Sequence, residues 1–356
     1  MADARVESAI AHWAPRYVTN GVPIGDFAEV TSRVESWDDW CSAWSERGAE
    51  HEQYGAEALE RGQHRSAGQH YVEAALCHHF GKFLFVHDIP QMRAAHDRAV
   101  AAHRIALPLL DPPGERVEIP YSPVSLKGNL RKPHGVDRPP VVVMVMGLDS
   151  AKEEEGTYEQ TFLDRGMATL AFDGPGQGEA EYDVPMRADY EVAVAAVIDY
   201  VESRDDLDSD RVGLWGVSLG GHYVVRAAAF ERRIRGCISL SGAYDVSESW
   251  DGRPSISRLA YQVRMHAGSL EETTAGIRAF NLAGVAEQVT CPLYVVGGTS
   301  DRLVPSSAAQ RIAADASGPT ILNLVEGGNH VVNNKPYAYR PQSADWMAQQ
   351  LGAATS

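Results

Sequence analysis

The chain has 356 residues, 44% hydrophobic and 22% charged, an ordinary globular balance with room for one full core and a second, smaller domain. Its 48 acidic and 32 basic residues leave a formal charge of −16, which argues against a nucleic-acid partner without identifying a substrate. No apolar run approaches the roughly 18 residues needed to cross a bilayer, and Met1-Ala2-Asp3-Ala4-Arg5 does not open a signal peptide.

In chain order, residues 1–115 read as a helical domain. Trp37, Trp40, Cys41 and Trp44 fall on one face at helical spacing. Ala-rich amphipathic stretches follow at 56–59, 67–80 and 92–107, separated by Gly62 and by Asp88-Ile89-Pro90. Small residues at the contact positions predict close helix-on-helix packing. Taken alone this is the pattern of a protein-binding helical module; placed directly before a catalytic domain it predicts a cap over an active site.

Residues 116–356 change period. Asp111-Pro112-Pro113-Gly114 breaks the helices, and 115–121 and 126–130 read as antiparallel edge strands. The unbroken apolar run 141–146 predicts a buried central strand, with 168–172 as the next. A helix at 190–201 leads to a strand at 211–215. Three more strands are expected at 237–240, 291–296 and 320–324, with a helix at 306–315. This alternation is that of an α/β fold, a mostly parallel sheet covered on both faces. Residues 245–286 interrupt it with helical stretches at 257–266 and 271–280, and read as a lid insert.

Gly216-Val217-Ser218-Leu219-Gly220 stands between the 211–215 strand and a helix over 221–229. Strand, sharp turn and helix form the setting that lifts a serine hydroxyl above a sheet. An acid and a histidine are required later in the chain at strand ends. Asp301 lies in the loop after 291–296, and His330 follows 320–324. Ser218 is the expected nucleophile, His330 its base, and Asp301 the group that fixes the imidazole tautomer. The oxyanion donors are expected to be the Leu219 amide and, after strand 141–146, the Leu148 amide, with Asp149 next.

Other features read as structural. Residues 152–155 predict the acidic first turn of a capped surface helix. Asp173-Gly174-Pro175-Gly176-Gln177-Gly178 lacks the Gly-Lys-Ser/Thr of a phosphate loop and reads as a tight rim loop. His222 reads as a packing or pocket residue. Cys41, Cys77, Cys237 and Cys291 form no Cys-x-x-Cys pair and are expected to be reduced, packed thiols of a cytoplasmic protein. The 13 histidines never form His-Glu-x-x-His, and of the adjacent His78 and His79 one is expected to face solvent, so neither a metal nor a cofactor is expected.

Together, Gly147-Leu148-Asp149-Ser150-x-Lys152-Glu153, the Asp173–Gly178 run, the Ser218 elbow and the late Asp301 and His330 resemble one branch of the α/β-hydrolase superfamily. That branch holds the 2,6-dihydroxypseudooxynicotine hydrolases, the fungal polyketide-shortening carbon–carbon hydrolases and the fermentation-respiration switch protein-like esterases. The resemblance covers nearly the whole chain. It implies an α/β-hydrolase fold with an N-terminal helical cap domain and a helical insert. It also implies hydrolysis of a carbon–carbon bond next to a ketone, in an aryl ketone or β-diketone, through an acyl-enzyme. Glu248 is the positional match to a glutamate that holds a substrate hydroxyl, with Asp245 and Asp251 competing for the role. His222 and Asp149 join it as candidate substrate contacts. The expected partner is a small aromatic or polyketide-like ketone or ester, without nucleic acid or membrane, in a homodimer joined through cap surfaces. A carboxylesterase or lactonase, or an acyltransferase or cyclase, would use the same triad.

Overall fold

The computed structural model describes residues 3–353; Met1 and Ala2 of the opening segment, and residues 354–356, lie outside the described residues. The chain forms two compact units, one from the residues up to Arg116 together with Glu153–Thr157, the other from Val117–Lys152 and the residues from Tyr158 onward.

The first unit contains α1 (Ala4–Thr19), α2 (Ile24–Arg33), α3 (Trp40–Glu60), α4 (His64–Lys82) and α5 (Ile89–Ala106). Carboxylates start two of them: Asp3 accepts from the Arg5 amide at α1, and Asp88 accepts from the Gln91 amide at α5, where Pro90 occupies the first turn. α3 and α4 approach closely because Gly48 and Gly55 face aromatic rings. A Cβ on Gly48 would lie 2.5 Å from the His78 ring, and one on Gly55 2.8 Å from Tyr71. Trp37, Trp40 and Trp44 are buried as their spacing predicts, although Trp37 sits in a short 3-10 turn ahead of α3. Tyr17 stacks on Phe80 at 3.9 Å between centroids, and Trp37 on Trp40 at 5.0 Å. Such rings bury large apolar area in offset geometries.

Two expectations are overturned here. Residues 152–155 are not the exposed start of a helix. Lys152, Glu153, Glu154 and Glu155 are all buried, and Glu153–Thr157 packs with the helices. Glu154 receives both Nε and Nη2 of Arg16 at 2.6 Å, Nδ2 of Asn20 at 2.6 Å, and stands 2.9 Å from Nε2 of His79. Burial alone would raise its pKa, but the Arg16 guanidinium and His79 hold it well below the usual carboxylate range. Neither His78 nor His79 faces solvent: His79 serves Glu154, and His78 places Nε2 2.9 Å from Glu52. A helix that packs on two sides leaves adjacent positions no solvent face.

The second unit carries, in chain order, β1 (Gly114–Tyr121), β2 (Val124–Arg131), β3 (Pro140–Val145), α6 (Gly156–Leu163), β4 (Ala168–Asp173), α7 (Glu191–Glu202), β5 (Asp208–Val217), α8 (Leu219–Phe230), β6 (Ile234–Leu240), α9 (Ser255–Arg264), α10 (Leu270–Gly276), β7 (Leu293–Gly298), α11 (Ser306–Asp315), β8 (Thr320–Val325) and α12 (Arg340–Gln350). The eight strands form one sheet in the order β1-β2-β4-β3-β5-β6-β7-β8. From β4 to β8 every pairing is parallel, and β2 runs antiparallel to β4. β2 is therefore an interior strand, and only β1 of the first two lies at an edge. Every residue of β3 and β4 is buried, which is why 141–146 reads as an unbroken apolar run.

The insert between β6 and β7 is rooted in this unit. Its base is closed by Leu282 N to Tyr244 O at 2.9 Å and Val246 N to Phe280 O at 3.0 Å. α9 ends on the loop after β4, where Met186 N donates to Arg264 O and buried Arg264 Nε lies 3.2 Å from Glu181.

Replacing Arg16 with methionine strands the Glu154 carboxylate in the helical interior. Loss of one partner of a buried pair costs about 3–5 kcal/mol, so Arg16→Met should lower the melting temperature clearly by circular dichroism; an unchanged melt would show that the pair carries no stability.

Candidate active site

Parallel strands bring their carboxyl ends to one rim, and β5, β7 and β8 each deliver a residue there. Ser218 follows β5 in a left-handed conformation, φ 56° and ψ −116°, which a non-glycine residue adopts only under constraint. The flanking glycines explain how. A Cβ on Gly216 would lie 2.2 Å from the Gly220 carbonyl, and one on Gly220 2.2 Å from that of Val145. The Ser218 amide is tied to Leu240 O of the neighbouring strand at 2.8 Å. The hydroxyl is thereby held proud of the sheet.

His330 Nε2 is 2.8 Å from Ser218 Oγ, and its Nδ1 is 2.8 Å from Asp301 Oδ2. The other Asp301 oxygen accepts the amides of Leu303 and Val304 at 2.8 and 2.9 Å. Burial pushes the Asp301 pKa up, yet the imidazole and these amides bring it below its ordinary value, so the carboxyl stays ionised. The turn after His330 is strained: Val331 and Val332 have φ of 62° and 53°, costly for β-branched residues. Ser241 Oγ holds the Val331 amide at 3.0 Å. Two distant loops and the elbow thus meet as the residue types require.

The loop after β3 has a support that the sequence pattern does not reveal. A Cβ on Gly147 would stand 3.4 Å from Ser218 Cβ, so the β3 loop runs directly beside the nucleophile. Gln177 Nε2 donates to the carbonyls of Met146 (2.5 Å) and Gly147 (3.1 Å), and its own Oε1 accepts from Tyr190 OH at 2.5 Å. The amides of Leu148 and Leu219 have no backbone acceptor among the described residues. Asp173 supports the same loop: its carboxylate takes the Lys152 amide (3.0 Å), Lys152 Nζ (2.7 Å) and the Glu179 amide (3.0 Å). The Asp173–Gly178 run is therefore a buried clamp on the loop after β3 rather than a rim turn. Its glutamine was legible only as a member of a glycine-rich run, and Lys152 only as part of the separate stretch after β3.

The remaining expected contacts separate. Glu248 is exposed and paired with Arg311 Nη1 at 2.6 Å, while Arg311 stacks on Tyr244 at 3.8 Å. This is a surface strut between the insert and α11, and it corrects the expectation that Glu248 holds a substrate hydroxyl. His222 is wholly buried; Nδ1–H donates to Ala243 O at 2.9 Å, and Nε2 has no partner among the described residues. Asp149 shares a neighbourhood with Tyr261 and Arg253 of the insert. Burial raises the Tyr261 pKa, Arg253 opposes the rise and Asp149 adds to it. Arg253, missed in the sequence, lies 5.4 Å over the Tyr261 ring with its Nε buried and unpartnered among the described residues.

Residues 34–348 match the family model described as "Esterase FrsA-like". The chain is 33% identical over 350 residues to the 2,6-dihydropseudooxynicotine hydrolase of Paenarthrobacter nicotinovorans, covering 98% of this chain and 94% of that protein. A solved 2,6-dihydroxy-pseudo-oxynicotine hydrolase superposes with a TM-score of 0.88 at 31% identity, over 95% of both chains. The 20-hydroxy-prefusarin hydrolase of Gibberella moniliformis is 33% identical over 244 residues, 64% of this chain and 58% of its own length, so that fungal protein is matched over less than two thirds of itself.

Burial lowers the His222 pKa from 6.5 to about 4. A lowered histidine contributes stability that is complete above the unfolded value and is lost as pH falls towards the folded one. Unfolding titrations should therefore show a loss of about 3 kcal/mol between pH 6.5 and 4 that His222→Asn removes; an identical acid slope in the variant would refute the assignment.

Proposed function

Because the chain belongs to the FrsA-like esterase family and is an α/β-hydrolase, we propose that it is a serine hydrolase cleaving a carbon–carbon bond beside a ketone in a small aryl ketone or β-diketone. The observation that carries the reading is the line of 2.8 Å contacts from Ser218 Oγ through His330 to Asp301, beside two unengaged amides. Ser218 Oγ attacks the ketone carbon as its proton passes to His330 Nε2. The Leu148 and Leu219 amides receive the oxyanion. Collapse breaks the carbon–carbon bond, whose electron pair leaves with the departing carbon and takes the proton back from His330. Water, deprotonated by the same imidazole, then releases the acyl group as a carboxylic acid.

A carbon leaving group needs its developing charge delocalised, onto phenolic or enolic oxygens. Arg253 supports this choice, since a buried guanidinium with an unpartnered Nε favours an electron-rich oxygen. The esterase character of the family supports the second reading, carboxylester or lactone hydrolysis by the same acyl-enzyme. We further propose residues 1–115 as a cap domain and 245–286 as a lid. Cytoplasmic residence is supported by four free cysteines. Pairing with a second copy through the helical unit is supported by exposed Ile24, Val18 and Ile105. No helix of the described residues is long and apolar enough to cross a membrane.

Incubation with an aryl β-ketone, a β-diketone and p-nitrophenyl esters, with products identified by mass, should yield the two ketone-cleavage fragments; ester turnover alone would assign the second reading. A fluorophosphonate probe should label the protein, and Ser218→Ala should abolish labelling; labelling that persists at another serine overturns the nucleophile. Gln177→Leu frees the Met146 and Gly147 carbonyls, and kcat should drop about 10- to 100-fold with KM little changed; unaltered kcat would show that the clamp does not position the oxyanion loop.

A further inference from the structure

Away from the triad, the helical unit gathers a second cluster of groups whose arrangement the hydrolase chemistry does not use. We propose that His51 Nδ1, His70 Nδ1 and Glu73 Oε2 form a binding site for one divalent transition-metal ion, zinc by the character of its donors.

The three donor atoms form a nearly equilateral triangle. His51 Nδ1 is 3.4 Å from His70 Nδ1 and 3.1 Å from Glu73 Oε2, and His70 Nδ1 is 3.5 Å from that same oxygen. Tetrahedral zinc bonds nitrogen and carboxylate oxygen at about 2.0–2.2 Å, which sets donor–donor edges of about 3.3–3.6 Å. The observed edges fall at or just below that range, so an ion seats with little movement. Hydrogen bonding accounts for the two contacts to Glu73 but not, at the same time, for the third edge between the imidazoles. Two imidazoles that turn the same kind of nitrogen towards each other share one proton at most, and both are aimed at a single carboxylate oxygen.

The surroundings fit as well. His70 and Glu73 sit one turn apart on α4, so both point from one helix face, while His51 reaches them from α3. The other nitrogen of His51, Nε2, lies 2.8 Å from Asp26 Oδ2 on α2. With Nε2–H donated to Asp26, Nδ1 carries the lone pair that a metal requires, the carboxylate–histidine–metal relay of many zinc sites. Arg47 Nη1 at 3.4 Å keeps the outer oxygen of Asp26 engaged. His51 is buried, whereas the His70 side chain is 33% exposed, which leaves a path for the ion and a fourth position for water. Two imidazoles and one carboxylate select zinc, cobalt, nickel or copper over calcium or magnesium, which prefer oxygen. No sequence motif announces the site, because its ligands come from two helices and its supporting acid from a third.

The test uses the full-length, tag-free protein, stripped with a chelator and dialysed. Cobalt(II) chloride should give intense visible d–d bands of tetrahedral type that saturate at one equivalent and vanish on adding zinc chloride. Zinc should raise the melting temperature. His70→Ala and Glu73→Gln should each abolish the bands while the metal-free protein melts as the parent does, and Asp26→Asn should weaken zinc affinity by about 10- to 100-fold at unchanged stoichiometry. The absence of saturable binding, a weak octahedral cobalt spectrum in the parent protein, or bands that survive both His70→Ala and Glu73→Gln would each overturn the proposal and leave a histidine–carboxylate ion pair in its place.

Discussion

The catalytic unit depends on one backbone contact, the close passage of Gly216 against the Gly220 carbonyl. It permits the chain to leave β5 and enter α8 within a single residue, and that residue is Ser218. The strain at φ 56° is held by the hydrogen bond from the Ser218 amide to the Leu240 carbonyl and by the packing of α8 on the sheet, so the hydroxyl position is set before any substrate arrives. The other parts are arranged around that fixed point. The β3 loop approaches to van der Waals distance through Gly147, and β7 and β8 end on the same rim because parallel strands share a direction.

The second ordering principle is the paired burial of charge. Lys152 and Asp173 are wholly buried and Arg16 and Glu154 nearly so, yet each group has hydrogen-bonded partners. Such pairs contribute little net stability over apolar packing, but breaking one is costly, so they specify a single arrangement. In the second unit that arrangement is the loop after β3, held by Asp173 and Gln177. The two networks leave the neighbouring Lys152 and Glu153 in different units, which explains why 152–155 is charged yet inaccessible.

Much of this was legible in the residue order, and the exceptions share a cause. The strands and helices of the sheet, the elbow and the spacing of Asp301 and His330 are local patterns, a period of 2 or 3.6 or a turn chemistry. His78 and His79, Glu154, Glu248 and β2 were misread because what decides them lies far along the chain. Glu154 looks like a surface residue until Arg16 is brought 138 positions to meet it. Glu248 matched a family position, but Arg311, 63 residues later, draws it to the surface.

The chain order by itself determined the fold class and put Ser218, Asp301 and His330 at the ends of strands, since each placement is written in contiguous residues whose conformation is a local matter. Only the tertiary structure decided which amides stay without a partner, which charges are buried, and that His51 of α3 meets His70 and Glu73 of α4. Those are distances between side chains remote in sequence, and no periodicity carries them.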